Sequence, residues 1–286
     1  MQQKREEIIM STLRLVTQNQ WSTGDNTPEW EKIGKDCSAK ARMPGHLQVI
    51  KDIMPDVLGG QEVDRRMQSY LMNLITDERL PYTLIWGLFV PIIYRRDKLE
   101  LLDQEYLMYP LDMEGYDGPF NNARTKACNL AVFREKASGK VFLYATTHLW
   151  WQSDDMTPGS RLARAYQARL ATEMMEKYSK QYQNCPMVFC GDLNDVYDSP
   201  CVKAMEEAGF VHGYHAATEF RFEGMGYNNN NYSLPPKWID APFEKAIDHV
   251  FVKGFKKDAV KRFDRYCPDY YLYLSDHAPC YIDVEI

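Results

Sequence analysis

The chain has 286 residues, with 34 basic and 40 acidic side chains and a formal charge of −6. Its 45% hydrophobic and 26% charged content is too apolar for a disordered chain, and its length is enough to bury a large core without staples. The acidic balance disfavours stable binding to duplex DNA, because a protein that lives on duplex phosphates presents a cationic excess.

Seven cysteines (37, 128, 185, 190, 201, 267 and 280) cannot all pair, and none forms a CxxC unit. The expectation is a reduced, cytoplasmic protein with no zinc site. No secretory signal is visible in MQQKREEIIMSTLRLV, and no run approaches the roughly 18 apolar residues of a membrane helix. Residues 1–10 read as a disordered extension, with Met10 as an alternative start.

In chain order, β-branched and aromatic runs predict strands over 13–19, 56–63, 83–96, 126–135 and 141–150, then over 186–194, 246–252, 260–266 and 278–286. Helices are predicted over 44–54, opened by Pro44, over 64–75, and over 159–180. In the longest, Leu162, Tyr166, Leu170 and Met174, widened by Ala165, form the predicted core face. The segment 224–236, GMGYNNNNYSLPP, reads as an exposed loop. Helices interleaved with many strands indicate layered α/β, either two sheets covered by helices or one doubly wound sheet.

The residues that carry chemistry stand at strand ends. Asn19 closes LRLVTQN, Glu62 closes DVLGGQE, His148 closes YATTHL, and Asp192 and Asn194 close VFCGDLN. Asp248 opens a strand in AIDHVFV, and Asp276 and His277 precede the last strand. Loops at one edge of a layered sheet collect such residues into a cleft. Four carboxylates, two amides and two imidazoles suit a hard cation, Mg²⁺ or Mn²⁺, between acidic groups and a phosphate. Any one of these residues could be a turn or cap; a coincidence at every position is far less economical.

The order TQN, QE, TTHL, GDLND, IDHVFV and SDHAP resembles the endonuclease/exonuclease/phosphatase superfamily with its DNase I-like fold, and it spans residues 13–286. The resemblance implies a four-layered α/β sandwich, two packed mixed β-sheets flanked by helices, as one domain over 11–286. It also implies metal-dependent phosphoester hydrolysis. Residue by residue, it makes Glu62, Asn19 and Asp276 the metal-side groups, with Asn19 also at the phosphate. Asp192 and Asn194 handle the attacking water, His148 contacts the scissile phosphate, and Asp248 pairs with His277. Arg124 and Tyr94 stand near positions where related enzymes place a phosphate-binding arginine and an active-site tyrosine. Trp150, beside Trp151, is a candidate platform for a base or sugar.

The expected substrate is a small phosphorylated metabolite, a nucleotide or a short single strand, hydrolysed by a monomer. TTHLWW followed by a helix carrying RxxQ is similar to the deadenylase and nocturnin branch, which makes a 3′-5′ exoribonuclease the alternative. A non-catalytic binding scaffold is the alternative outside enzymes.

Overall fold

A computed structural model describes residues 11–22, 24–220, 224–230 and 233–286. The predicted N-terminal extension over 1–10 lies outside the described residues, as do residues 231 and 232 of the predicted loop.

The first sheet contains β1 (Thr12–Asn19), β2 (Val57–Gln61), β3 (Tyr82–Ile85) and β4 (Ile92–Arg95). The second begins with β5 (Leu99–Met108), β6 (Ala127–Glu135), β7 (Val141–His148) and β8 (Met187–Asp192). The remaining strands are β9 (Val211–His212), β10 (Glu219–Phe220), β11 (Asp248–Lys253), β12 (Val260–Arg265) and β13 (Cys280–Glu285). The sheet orders are β10-β12-β13-β1-β2-β4-β3 and β5-β6-β7-β8-β11-β9. Both are mixed, with β1–β2 and β7–β8 as parallel pairs at their centres.

Their inner faces meet in a core that includes Leu15, Val57, Phe133, Tyr144, Val188 and Ile282. On the outer face of the first sheet lie α2 (Ala39–Ile53) and α3 (Arg65–Asp77), held by Leu47, Ile50, Met67 and Leu71. On the outer face of the second lie α4 (Ser160–Gln181) and α5 (Pro200–Glu207). Two short α-helices, α1 (Pro28–Lys32) and α6 (Gly213–Ala216), and two 3₁₀ turns, Phe243–Lys245 and Asp269–Tyr273, lie among the described residues as well. The result is the four-layered sandwich, and it resolves the choice left open by periodicity in favour of two sheets.

Four local readings change. The run 83–96 is two antiparallel strands, because residues 86–91 leave the ladder to form a loop. The unpredicted β5 is a half-exposed edge strand interrupted by a bulge, and its acids Glu100, Asp103 and Glu105 mask the alternation. Helix α2 starts at Ala39, where the Ser38 hydroxyl accepts from Ala41 N–H, and Pro44 sits inside the helix. The proline leaves the carbonyl of Lys40, an exposed residue, to water. In α4 the buried face is Ala163, Ala165, Ala168, Ala171 and Met175, whereas Leu162 is 43% exposed. Small side chains let this helix lie close on the sheet, while Tyr166, Leu170 and Met174 of the predicted line are only partly buried.

Candidate active site

The parallel central pairs send the C-terminal ends of β1, β2, β7 and β8 to one edge of the sandwich. Asn19 sits opposite Gln61 across β1–β2, and Glu62 follows directly. In the second sheet His148 pairs with Asp192, and Asp192 pairs with Asp248. Antiparallel β13 returns the chain to the same edge with Asp276 and His277 just before it. Strand polarity alone therefore gathers residues from position 19 to position 277.

Backbone shape at this edge is specialised. Glu62 and Asn194 have φ of 57° and 52°, a left-handed conformation that non-glycine residues rarely adopt outside constrained sites. Gly191 has φ of 150°, and a Cβ there would lie 2.0 Å from the Thr147 carbonyl oxygen. The glycine of GDLN thus lets β8 approach β7 closely enough to bring Asp192 beside His148.

Asn19 ties the two sheets together, donating to Asp192 Oδ2 (3.0 Å) and Glu62 Oε1 (3.3 Å). Asn194 N–H donates to Asp192 Oδ1 at 2.8 Å, and Ser22 N–H to Glu62 Oε2 at 3.0 Å. Asp248 Oδ2 lies 2.7 Å from His277 Nδ1 in a buried pair. Tyr227 hydroxyl donates to Asp276 Oδ2 at 3.2 Å. Glu62, His148 and Asp192 form one group whose ligand atoms lie within 4.8 Å of each other; Asp192, Asp248 and His277 form a second, with Asp192 common to both.

Burial and charge divide the two imidazoles. Burial disfavours the cation at His277, but Asp248 and Asp276 overcome it and hold the ring well above the usual histidine range. His148 is pushed well below that range by burial, by Lys126 and by His277. At pH 7 these shifts favour a cationic His277 and a neutral His148. Burial also raises Asp192 to about 6, with Asp248 adding to the effect against His277 and Lys126.

Lys126 is the residue the sequence reading missed. It is 5% exposed, its Nζ lies 2.6 Å from His148 Nε2, and Glu62 and Asp192 partly offset the burial that lowers it to about 8. Ala127 pairs with His148 across β6–β7, so the lysine one residue earlier reaches the edge. That register was the available signal. Arg124, the candidate two residues away, is exposed in the preceding turn, where its N–H donates to the Asn121 carbonyl at 3.0 Å.

Two other candidates sit elsewhere. Tyr94 pairs with Val57 at the far end of β2 and packs on Phe133 in the inter-sheet core, centroids 4.8 Å apart. Four strand residues, roughly 13 Å, separate that level from Gln61. Trp150 is 1% exposed; its ring meets Phe120 edge-on and its Nε1–H donates to the Ser160 hydroxyl. Trp151 is the exposed neighbour, at 50%. In α4, Arg164 donates to Asp195 Oδ2 and to the Gln152 carbonyl, while Gln167 bridges Trp150 N–H and the Phe120 carbonyl. The RxxQ pair thus braces the loops behind the cluster.

The donor set fits a hard divalent cation. It is rich in carboxylate oxygen, Asp276 feels the charge of Glu62, and Asp248 Oδ1 is buried without a hydrogen-bond partner among the described residues. A separate cavity of about 930 Å³ opens among Lys140, Pro186, Lys256 and Ile286, at the opposite ends of β7, β8 and β13, and includes none of these groups.

Comparison with known proteins agrees with the fold. The chain aligns over 98% of its length with an endonuclease/exonuclease/phosphatase family protein from Bacteroides thetaiotaomicron, covering 97% of it at 20% identity and a TM-score of 0.73. A homologous structure from Bacteroides vulgatus gives 23% identity and a TM-score of 0.69, with 96% and 99% of the two chains covered. A mannosyl-6-phosphatase from Bacteroides thetaiotaomicron gives 20% identity and a TM-score of 0.70, again with 96% and 99% covered. No curated protein sequence matches. The profile of the Endonuclease/Exonuclease/phosphatase family matches residues 41–277, and the chain belongs to that family of divalent-metal-dependent enzymes acting on phosphoester bonds.

Proposed function

We propose that the chain hydrolyses a phosphoester by in-line attack of water, on a substrate that presents its phosphate on a small metabolite, a nucleotide or a short single strand. The observation that carries this reading is the sharing of Asp192 between two acid–imidazole groups, with the Lys126 ammonium and the His277 imidazolium beside it.

Asp192 is ionised at pH 7, since its raised value is about 6, and it accepts a proton from the attacking water. Asn194 N–H and the Asn19 amide hold its two oxygens in place. The cations of Lys126 and His277 stabilise charge that builds on the phosphoryl oxygens, usually the largest catalytic contribution. His148, neutral, is a hydrogen-bonding contact for the phosphate. Asp248 fixes the orientation of His277 and keeps it protonated. Glu62, Asn19 and Asp276 would hold a divalent cation, and the chemistry it would supply there is Lewis-acid charge.

The size preference rests on burial. Asp192, His148, Asp248, Asp276 and His277 are all no more than 6% exposed. A terminal phosphate or a bulged single strand reaches such groups more readily than a duplex backbone does. The exoribonuclease alternative loses one support, because Arg164 and Gln167 are engaged with the protein itself.

A panel of phosphomonoesters and phosphodiesters, including an oligo(A) ladder, assayed with Mg²⁺ and with Mn²⁺ tests the proposal. Turnover that disappears in Asp192→Ala and His277→Ala supports it. Turnover that persists in full with EDTA removes the metal role, and absence of any turnover favours the binding scaffold.

A further inference from the structure

A second cavity, of about 580 Å³, lies at the catalytic edge, where the loop joining β3 to β4 faces the start of α3. Arg65, Gln68, Trp86, Leu88 and Tyr106 line it. Its wall is continuous with the metal-side segment: Val63 N–H donates to the Phe89 carbonyl at 3.1 Å, and Gln68 Nε2 donates to both the Val63 and Gly87 carbonyls at 2.7 Å. Tyr106 hydroxyl accepts from Leu88 N–H at 3.1 Å and fixes the other side of the loop. Arg65 is three residues from Glu62, at most about 11 Å along the chain, which is the reach of a phosphorylated six-membered ring.

Its chemistry is that of a ring-binding pocket. Trp86 is 57% exposed and Leu88 44%, a costly display of apolar surface on an isolated loop tip. Gln68 is 1% exposed, yet its Oε1 has no hydrogen-bond partner among the described residues. A buried acceptor left unsatisfied is unfavourable by about 1–3 kcal/mol, a cost that a hydroxyl donor from a bound ligand would relieve. Arg65 makes no ion pair among the described residues, so its guanidinium is available to a hydroxyl or phosphate oxygen. An indole face for the C–H side of a ring, an acceptor for one hydroxyl and a cation at the rim together match a sugar.

We propose that this cavity is the leaving-group pocket of the enzyme and that it selects a phosphorylated sugar, Trp86 stacking on the ring. The assignment rests on the phosphoesterase reading above and narrows its substrate class.

Kinetics of wild type, Trp86→Ala and Arg65→Ala on hexose 6-phosphate, ribose 5-phosphate, AMP and ring-less glycerol 3-phosphate, with Mg²⁺, test it. The expected result is a KM at least tenfold higher in Trp86→Ala for the sugar phosphates, against a rise of less than about threefold for glycerol 3-phosphate. Equal effects on ring and ring-less substrates, no effect on any, or an effect confined to AMP would overturn it. Binding of unphosphorylated hexose and ribose, followed by tryptophan fluorescence in wild type and Trp86→Phe, separates the two hypotheses. Saturable quenching present only in wild type keeps the pocket even if every phosphate ester resists hydrolysis; its absence rejects the pocket while leaving phosphatase activity to the first assay.

Discussion

Removing the charge of Asp248 probes the dyad most incisively. Asp248→Asn keeps the shape of the side chain but withdraws the leading influence that keeps His277 protonated against burial. Both members are buried and 2.7 Å apart, so the imidazolium loses its nearest counter-charge, keeps only Asp276 and Asp192 as acidic neighbours, and holds its proton less tightly against burial. A group that supplies charge or a proton in the transition state is worth about 10²- to 10⁴-fold in rate. The expected outcome is a loss of kcat/KM in that range at pH 7.5. Because the two residues act as a unit, Asp248→Asn/His277→Ala should be no slower than His277→Ala alone. Kinetics on all three variants, with thermal melts to establish folding, complete the cycle. Losses that multiply would show independent roles and refute the reasoning.

Lys126→Met should lower kcat about 10²- to 10³-fold, the cost of removing one preorganised phosphate-stabilising donor, without lowering Tm, since burial already disfavours this cation; a Tm drop with unchanged kcat would make Lys126 structural. Gly191→Ala should destabilise by about 3 kcal/mol or more through backbone strain and collision with Thr147, lowering Tm by roughly 6–12 °C in a melt. In EDTA, stability should fall as pH falls below 6.5. Burial holds His46, His148 and His212 well below the ordinary value and His249 at about 4, so in that window the unfolded chain binds protons that the folded chain does not. The slope is about 1.4 kcal/mol per pH unit for each such group, opposed by Asp192, which is raised to about 6, and by Asp276. Four histidines against two carboxylates give a net loss on acidification; denaturant melts at pH 7 and pH 5 with equal midpoints would contradict it.

The clustered groups are legible because each is a polar residue at one end or the other of a hydrophobic strand, which core packing alone does not explain. Asn19, Glu62, His148, Asp192, Asn194, Asp248, Asp276 and His277 meet because strand direction is set by the same runs that predict the strands. Lys126 escaped because a lysine leading a strand usually reaches solvent, and only its register against His148 shows otherwise. Trp150 and Trp151 are adjacent and chemically identical; which one faces solvent depends on α4 packing over the loop, a tertiary effect. Tyr94 has the residue type of an active-site tyrosine but belongs to the wrong level of the sheet, and level is set by a pairing between distant segments. On α4 Ala165 is buried as predicted and Leu170 and Met174 pack partly against the core, but Leu162 faces solvent and the centre of the buried face shifts to the alanines. Hydrophobicity favours leucine and tyrosine, whereas close helix–sheet approach favours alanine, and the latter decides which side is buried.

The central claim is that the shared carboxylate at the strand edge drives metal-dependent phosphoester hydrolysis. Phosphate or alcohol release from the best substrate of the panel, measured with Mg²⁺ for wild type and for folded Asp192→Asn, tests it most directly. The account predicts turnover in the wild type that EDTA abolishes and a loss of at least 10³-fold in the variant. Wild-type rates in Asp192→Asn would contradict it.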